Sequence, residues 1–158
     1  MPFYSENPAL FESVSAVTLV PSVELGTRAN FAGRFYCYVY NGGNSQITVG
    51  NGVVQTGTSG YTVTVSSVTG VDAFAGVCYH ATITTGAYGW VVTRGHTKIK
   101  MHANSICTTG DLLTAGADGV FAAAALAGTS IVAPYVVGKA AIATVSAGTG
   151  EAIVNCLL

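Results

Sequence analysis

The sequence predicts an all-β chain, an antiparallel β-sandwich or small β-barrel with an extended N-terminal arm. Three observations predict it. Arg34 to Tyr40, Tyr61 to Ser66 and Val77 to Thr84 alternate with a period of two, the pleat of a half-buried strand. Asn41-Gly42-Gly43-Asn44, Asn51-Gly52 and Thr85-Gly86-Ala87 stand between such stretches and carry the residues of tight turns. No segment sustains a helical period that would compete. The sum is nine or so short strands, the pattern of a sandwich or barrel.

At 158 residues the chain is long enough to bury a core of its own. Charged residues make up only 8 % of it and hydrophobic residues 50 %, where about a quarter charged is usual. So few charges leave apolar surface, which copies of the chain or a larger partner are expected to cover. The formal net charge of −1 gives no global pull toward nucleic acid or an anionic membrane. No Lys or Arg precedes Arg28, so the basic start of a signal peptide is missing. The longest apolar run, Val120 to Ala127, is far short of the roughly 20 residues of a membrane helix. The expected product is made in a host cytoplasm and stays soluble until it assembles.

In chain order, Met1 to Thr27 reads as the arm and residues 28–158 as a single β-rich domain. Pro2, Pro8 and Pro21 punctuate the arm, and Phe3, Tyr4, Leu10 and Phe11 are large side chains with little core around them. A disordered terminus is one reading; docking on a surface is the other, with these four as its contacts. On the first strand Phe35, Cys37 and Val39 point one way and Tyr36, Tyr38 and Tyr40 the other. The tyrosine face offers contact area with polar tips to a carbohydrate or protein partner. An ordinary cross-strand aromatic ladder gives the same pattern.

Gln46 to Val49 is expected to return as the second strand of that hairpin, and Tyr61 to Ser66 to form the next strand. Val77 to Thr84 and Tyr88 to Thr93 make a central hairpin, whose second strand holds Tyr88, Gly89 and the single tryptophan, Trp90. Glycine there marks a bulge or a close backbone approach. From Arg94 every second residue is basic or a histidine: Arg94, His96, Lys98, Lys100, His102. Such a ladder can grip an acidic patch on a partner or a nucleic-acid backbone, or stand as a solvated outer face that discourages edge pairing. Tyr88, Trp90, Arg94, Lys98 and Lys100 join Tyr36, Tyr38 and Tyr40 as candidate partner or oligomer contacts. Phe121 to Ala127 fits either one or two helical turns or flat packing. Tyr135 to Val145 and Glu151 to Leu158 read as the last strands.

Recognisable chemistry is absent. No G-x-S-x-G, P-loop or H-E-x-x-H occurs, and Gly50-Asn51-Gly52 lacks the third glycine of a dinucleotide loop. The seven carboxylates are scattered singly. No catalytic residue, cofactor or metal is expected, and the chain is not read as an enzyme. Cys37, Cys78, Cys107 and Cys156 form no C-x-x-C pair, so reduced, buried thiols are expected. The sharper rival is a metal-assisted enzyme built on Cys78 and His80, placed on one strand face with other histidines nearby, though the tight ligand pairs of zinc sites are missing.

An ordered series carries a family resemblance: Leu25-Gly26-Thr27-Arg28, Tyr38-Val39-Tyr40-Asn41-Gly42-Gly43, Tyr88-Gly89-Trp90-Val91-Val92-Thr93-Arg94-Gly95, Gly110-Asp111-Leu112-Leu113, Gly138-Lys139-Ala140 and Gly150-Glu151-Ala152-Ile153-Val154. From about Leu25 onward the chain resembles the small head-decoration, or cement, proteins of tailed bacteriophages. The resemblance implies a non-enzymatic virion protein without cofactors on the outer surface of the capsid. Its partner there would be the major capsid protein, whose neighbouring subunits it would bridge against the pressure of packaged DNA. A homo-oligomer is implied, a trimer in the first place and a dimer in the second. A head-fibre or tail-associated module that binds a host-surface glycan through Tyr36, Tyr38 and Tyr40 is the runner-up.

Overall fold

In the computed structural model the described residues form twelve strands: β1 (Arg28–Phe31), β2 (Arg34–Asn41), β3 (Gly52–Gln55), β4 (Thr62–Val65), β5 (Phe74–Cys78), β6 (Tyr88–Met101), β7 (Leu112–Ala115), β8 (Phe121–Ala123), β9 (Leu126–Ala127), β10 (Ser130–Ile131), β11 (Gly138–Ala140) and β12 (Gly148–Asn155). The structure describes residues 14–56, 60–66, 74–103, 105–123, 126–127, 130–131, 138–141 and 148–155. Phe3, Tyr4, Leu10, Phe11 and Cys156 lie outside them.

The main sheet closes on itself twice. β2–β4–β3–β5–β6 returns to β2, and β6–β8–β7–β11–β12 returns to β6. Each circuit is a five-stranded ring, and the long β6 belongs to both. The two rings have the same strand order and the same pairing senses. One pair in each is parallel, β2–β4 in the first and β6–β8 in the second. Every other pair is antiparallel. The chain is thus all-β as predicted, with two parallel pairings where only antiparallel ones were expected.

The correspondence extends to the turns. Thr48 to Asn51 and Thr108 to Asp111 stand sixty residues apart, each just before the third strand position of its ring. In each, the last backbone N–H donates to the threonine carbonyl, at 3.0 Å in the first and 3.1 Å in the second. Gly50 and Gly110 sit at φ 88° and 92°, where a side chain would be strained. Gly50 donates to the Cys78 carbonyl and Gly110 to the Ala140 carbonyl, which locks each turn to its neighbouring strand.

Interiors follow from the alternation. Cys37, Val39, Ile47, Val53, Val63, Ala75, Cys78, Ile83, Ala87 and Val91 fill the first ring as one cluster. The second ring holds Ile99, Met101, Leu113, Phe121, Ala140, Ala152 and Val154, in one cluster with the outer face of the first ring: Tyr36, Tyr38, Trp90 and Val92. Along β6 the residues reaching this cluster are even-numbered up to Val92 and odd-numbered from Ile99. Between them the β2–β6 ladder slips: Tyr36 pairs with Val92 but Phe35 with Arg94, so β6 carries one extra residue, Thr93, as it passes from one ring to the other, and Gly95 follows at φ 115°. A Cβ there would stand 2.7 Å from the Gly33 carbonyl oxygen, so the crossing between the rings admits only glycine.

Two sequence expectations change, and one open alternative is decided. Gln46 to Val49 contributes a single bridge, Ile47 to Ile83, because Asn51 folds the chain into a turn by accepting from the Thr48 N–H at 2.9 Å. The strand expected from Val77 to Thr84 ends at Cys78. Beyond it, the Asn41 side chain takes the Ile83 carbonyl at 3.0 Å and draws residues 79–84 away from the strand path. Phe121 to Ala127 is extended where described, as β8 and β9 rather than helix.

Candidate functional site

The outer faces of the two rings occupy equivalent positions and carry different chemistry. On the first ring, β2 presents Tyr36, Tyr38 and Tyr40, and β6 presents Tyr88, Trp90 and Val92 across from them, in the pairs Tyr40–Tyr88, Tyr38–Trp90 and Tyr36–Val92. The rings interlock: Tyr38 and Trp90 centroids lie 5.1 Å apart, Tyr40 and Tyr88 4.9 Å. This is a cross-strand aromatic ladder.

Most of it is buried, with Tyr40 and Tyr88 part-exposed. Tyr36 and Tyr38 are each 1 % exposed and Trp90 3 %. The cover comes from the chain's own residues 14–27. Val14, Val23 and Leu25 pack into the aromatic cluster, and Thr18 forms a two-bond bridge with Tyr88. The Ser22 N–H donates to the Tyr38 hydroxyl at 3.1 Å, and the Thr18 hydroxyl lies 3.2 Å from it. Wide, weakly polar rings are buried when an apolar segment is at hand, which is why Tyr36, Tyr38 and Trp90 lie inside and not at an interface. Among the described residues the buried Trp90 indole N–H has no acceptor.

On the second ring no described segment lies across the equivalent face. β6 presents His96, Lys98 and Lys100, opposite Ile153, Glu151 and Thr149 of β12. Arg94 continues the row opposite Asn155, and Lys139 of β11 pairs with Ile153 from the other side. Arg94, His96 and Lys98 are exposed, as the alternation predicted. Lys100 is half-buried, because its ammonium group donates to the Thr48 hydroxyl. His102 lies past the end of β6. The imidazole of His96 stands 3.0 Å from the Glu151 carboxylate. Lys139, Glu151 and Ile153 were not singled out by sequence reasoning. Alternation in Gly150-Glu151-Ala152-Ile153 places Glu151 and Ile153 on one face, but nothing in it says that β12 lies beside β6.

Between the rings, Arg34 lies 4.6 Å over the Tyr79 ring and donates to the His96 carbonyl at 2.6 Å. The His80 ring stacks on Tyr36 and meets its hydroxyl at 3.2 Å. Burial, then the nearby Arg34 charge, holds the His80 pKa below its ordinary value. Burial raises that of Tyr36. Cys78 and His80 do not share a face as expected, since β5 ends between them: Cys78 faces the first ring's interior while His80 lies against Tyr36 outside it. Burial pushes the Cys37 thiol up to about 11 and the Cys78 thiol up to about 12. Cys37 and Cys78 are free thiols, and Cys37, Cys78 and Cys107 are all buried.

The arrangement is a double ring of strands, one outer face crossed by residues 14–27 and the other polar, with no described segment across it. No protein-family model and no curated protein matches the chain. Among solved structures it is similar to the N base of the head fiber protein gp8.5 of bacteriophage phi29, with a TM-score of 0.50 and 15 % sequence identity. The match covers 78 % of this chain and 98 % of that one. At such identity the likeness is one of fold.

Proposed function

We propose that this chain is a non-enzymatic structural protein of a bacteriophage head, seated on the outer surface of the capsid lattice through the major capsid protein. The observation that carries the reading is the fold shared with a head-fiber base over nearly the whole of that base. The sequence resemblance to head-decoration proteins, drawn from other features, leads to the same location. The segment over the first ring supports it further: Leu19 and Val20, 76 % and 73 % exposed, leave an apolar pair at the protein's surface that a partner would cover. In this reading copies of the chain, trimers in the first place, tie neighbouring capsid subunits, and many weak contacts add up through multivalency.

The fold likeness favours a second reading equally, in which the double ring is the base on which a head fibre stands. Glycan binding through Tyr36, Tyr38 and Tyr40 is not part of either reading, because two of those rings are buried.

The test uses heads of the encoding phage assembled without this protein, mixed with the purified full chain. Saturable co-sedimentation, with density at fixed lattice positions by electron microscopy, is expected. Failure to bind heads overturns the reading. Bound heads that withstand heating better than bare ones point to cementing, and bound heads of unchanged heat resistance point to a fibre base.

A further inference from the structure

The second ring's outer face has features that its counterpart on the first ring explains. In the first ring that position is occupied: residues 14–27 lie across β2 and β6 and bury the aromatic ladder. In the second ring no described segment lies across β6, β12 and β11, and Ile153 in the middle of the face is 55 % exposed. We infer that this face is a docking surface for an acidic protein surface, with Ile153 as its apolar anchor.

Charge argues for the occupant. Arg94, Lys98, Lys100 and Lys139 are four of the six Lys and Arg residues in the chain, and all lie on or at the edge of these strands. One carboxylate, Glu151, stands among them, and His96 holds it at 3.0 Å. Among the described residues neither Lys98 nor Lys139 has a carboxylate partner. A chain with net charge −1 that gathers its cations on one face has a local field opposite to its overall sign, which selects an anionic partner.

Register argues for protein over nucleic acid. Lys139, Ile153 and His96 form one row across three strands, so an exposed isoleucine is flanked by basic groups on both sides. An apolar anchor inside a polar rim is the layout of a protein interface. A phosphate backbone has no use for the isoleucine and is repelled by Glu151 in the middle of the face. This inference rests on the proposed seat on the phage head, and names the chemistry of the shell surface that the second ring meets: carboxylates around an apolar recess.

The experiment measures binding of the full chain to heads lacking it, for the wild type, Lys98→Glu/Lys139→Glu and Ile153→Asp. All three side chains are at the surface or partly so, and thermal melts check that the variants fold as the wild type does. The charge variant is expected to lose about tenfold or more in apparent affinity, and wild-type binding to weaken as salt is raised. Ile153→Asp is expected to lose binding with less dependence on salt. Wild-type binding that both variants retain overturns the docking face and leaves the seat on the head standing. A wild type that does not bind heads overturns the seat, and the docking face with it. Tight binding of duplex DNA that is lost in the charge variant, measured by fluorescence anisotropy, overturns the choice of a protein partner.

Discussion

The two rings share one pattern of pairing and differ in what fills and covers them. The first is packed by medium-sized side chains, mostly Val, Ile, Cys and Ala, in a cluster that belongs to it alone. Among the described residues the second has no separate core: its Leu113 and Phe121 share a cluster with Tyr36, Tyr38 and Trp90, and the Phe121 ring meets Phe74 of the first ring edge-on at 6.0 Å. Sixty residues on, Cys37 becomes Thr97, Val39 becomes Ile99 and Val53 becomes Leu113, all still buried. Closure of such a ring therefore requires turns and alternation, and tolerates exchange of the residues inside. The outer faces are where the copies part. One is an aromatic seat for the chain's own residues 14–27, and the other a basic surface that no described segment crosses.

The largest effect should come from breaking the crossing that makes the second ring depend on the first. Gly95→Val places a side chain at φ 115° with its Cβ against the Gly33 carbonyl. A destabilisation of about 3 kcal/mol or more is expected in urea unfolding. Gly86→Ala is the control: φ is 77°, but nothing lies within 4 Å of the new Cβ, so backbone strain alone should cost roughly 1–2 kcal/mol. Equal losses in the two variants would mean that the close approach at Gly95 does not set the geometry between the rings.

That crossing shows how much of the molecule the sequence discloses. The all-β class, β2, β4 and the outward row from Arg94 to Lys100 were legible, because alternation is local and each strand carries it. The repeat was not. Its identities are sparse, chiefly Arg34 with Arg94, Asn44-Ser45 with Asn104-Ser105, Thr48 with Thr108 and Gly50 with Gly110, since sheet pairing constrains polarity and not residue type. The burial of the tyrosine face was equally hidden. It depends on where residues 14–27 lie, and an arm of mixed polarity has no period that would tell its docking place. Cys78 and His80 were paired on paper by a strand that in fact ends at Cys78, where tertiary hydrogen bonds from Asn41 override local propensity.

A smaller effect compares the matched turns. In the first, Asn51 is 5 % exposed; its oxygen accepts from Thr48 and its nitrogen donates to the Asp118 carbonyl at 2.7 Å. Asn51→Ala leaves those groups buried without partners and should cost about 1–3 kcal/mol. In the second, Asp111 accepts from the Thr108 N–H at 2.7 Å and its hydroxyl at 2.8 Å, in the open. Those bonds, the backbone one first, hold its carboxyl below the usual carboxylate range. A carboxyl with a lowered folded pKa stabilises the fold above its unfolded pKa, and that contribution is lost as pH falls through the folded value. Asp111→Ala should therefore cost less than Asn51→Ala at neutral pH, and its cost should vanish in acid while that of Asn51→Ala persists. Chemical unfolding of both variants across acidic pH separates the two. A pH-independent penalty at Asp111 would mean that its hydrogen bonds to Thr108 do not hold the turn.

The smallest expected effect is an unchanged rate, and it reads the independence of the rings directly. The first ring encloses Cys37 and Cys78, whose thiols are pushed up to about 11 and about 12 by burial, and Thr97 and Ala140 stand at the matching places of the second. With so little thiolate near pH 8, on the order of one part in a thousand or less, alkylation of either must wait for the ring to open. In wild-type protein the two cysteines should resist iodoacetamide until denaturant unfolds the chain. In Gly95→Val the second ring loosens at the crossing, yet the first keeps its own core, so mass spectrometry of peptides containing Cys37 and Cys78 should show labelling as slow as in the wild type. Amides of β7, β11 and β12 should meanwhile exchange faster with deuterium. Labelling of Cys37 and Cys78 that accelerates in step with that exchange would show that the rings open as one unit, with β6 transmitting the damage from the second ring to the first. Separate responses would mean that a self-contained ring carries a second, dependent one, whose open face is then free to vary with the partner it meets.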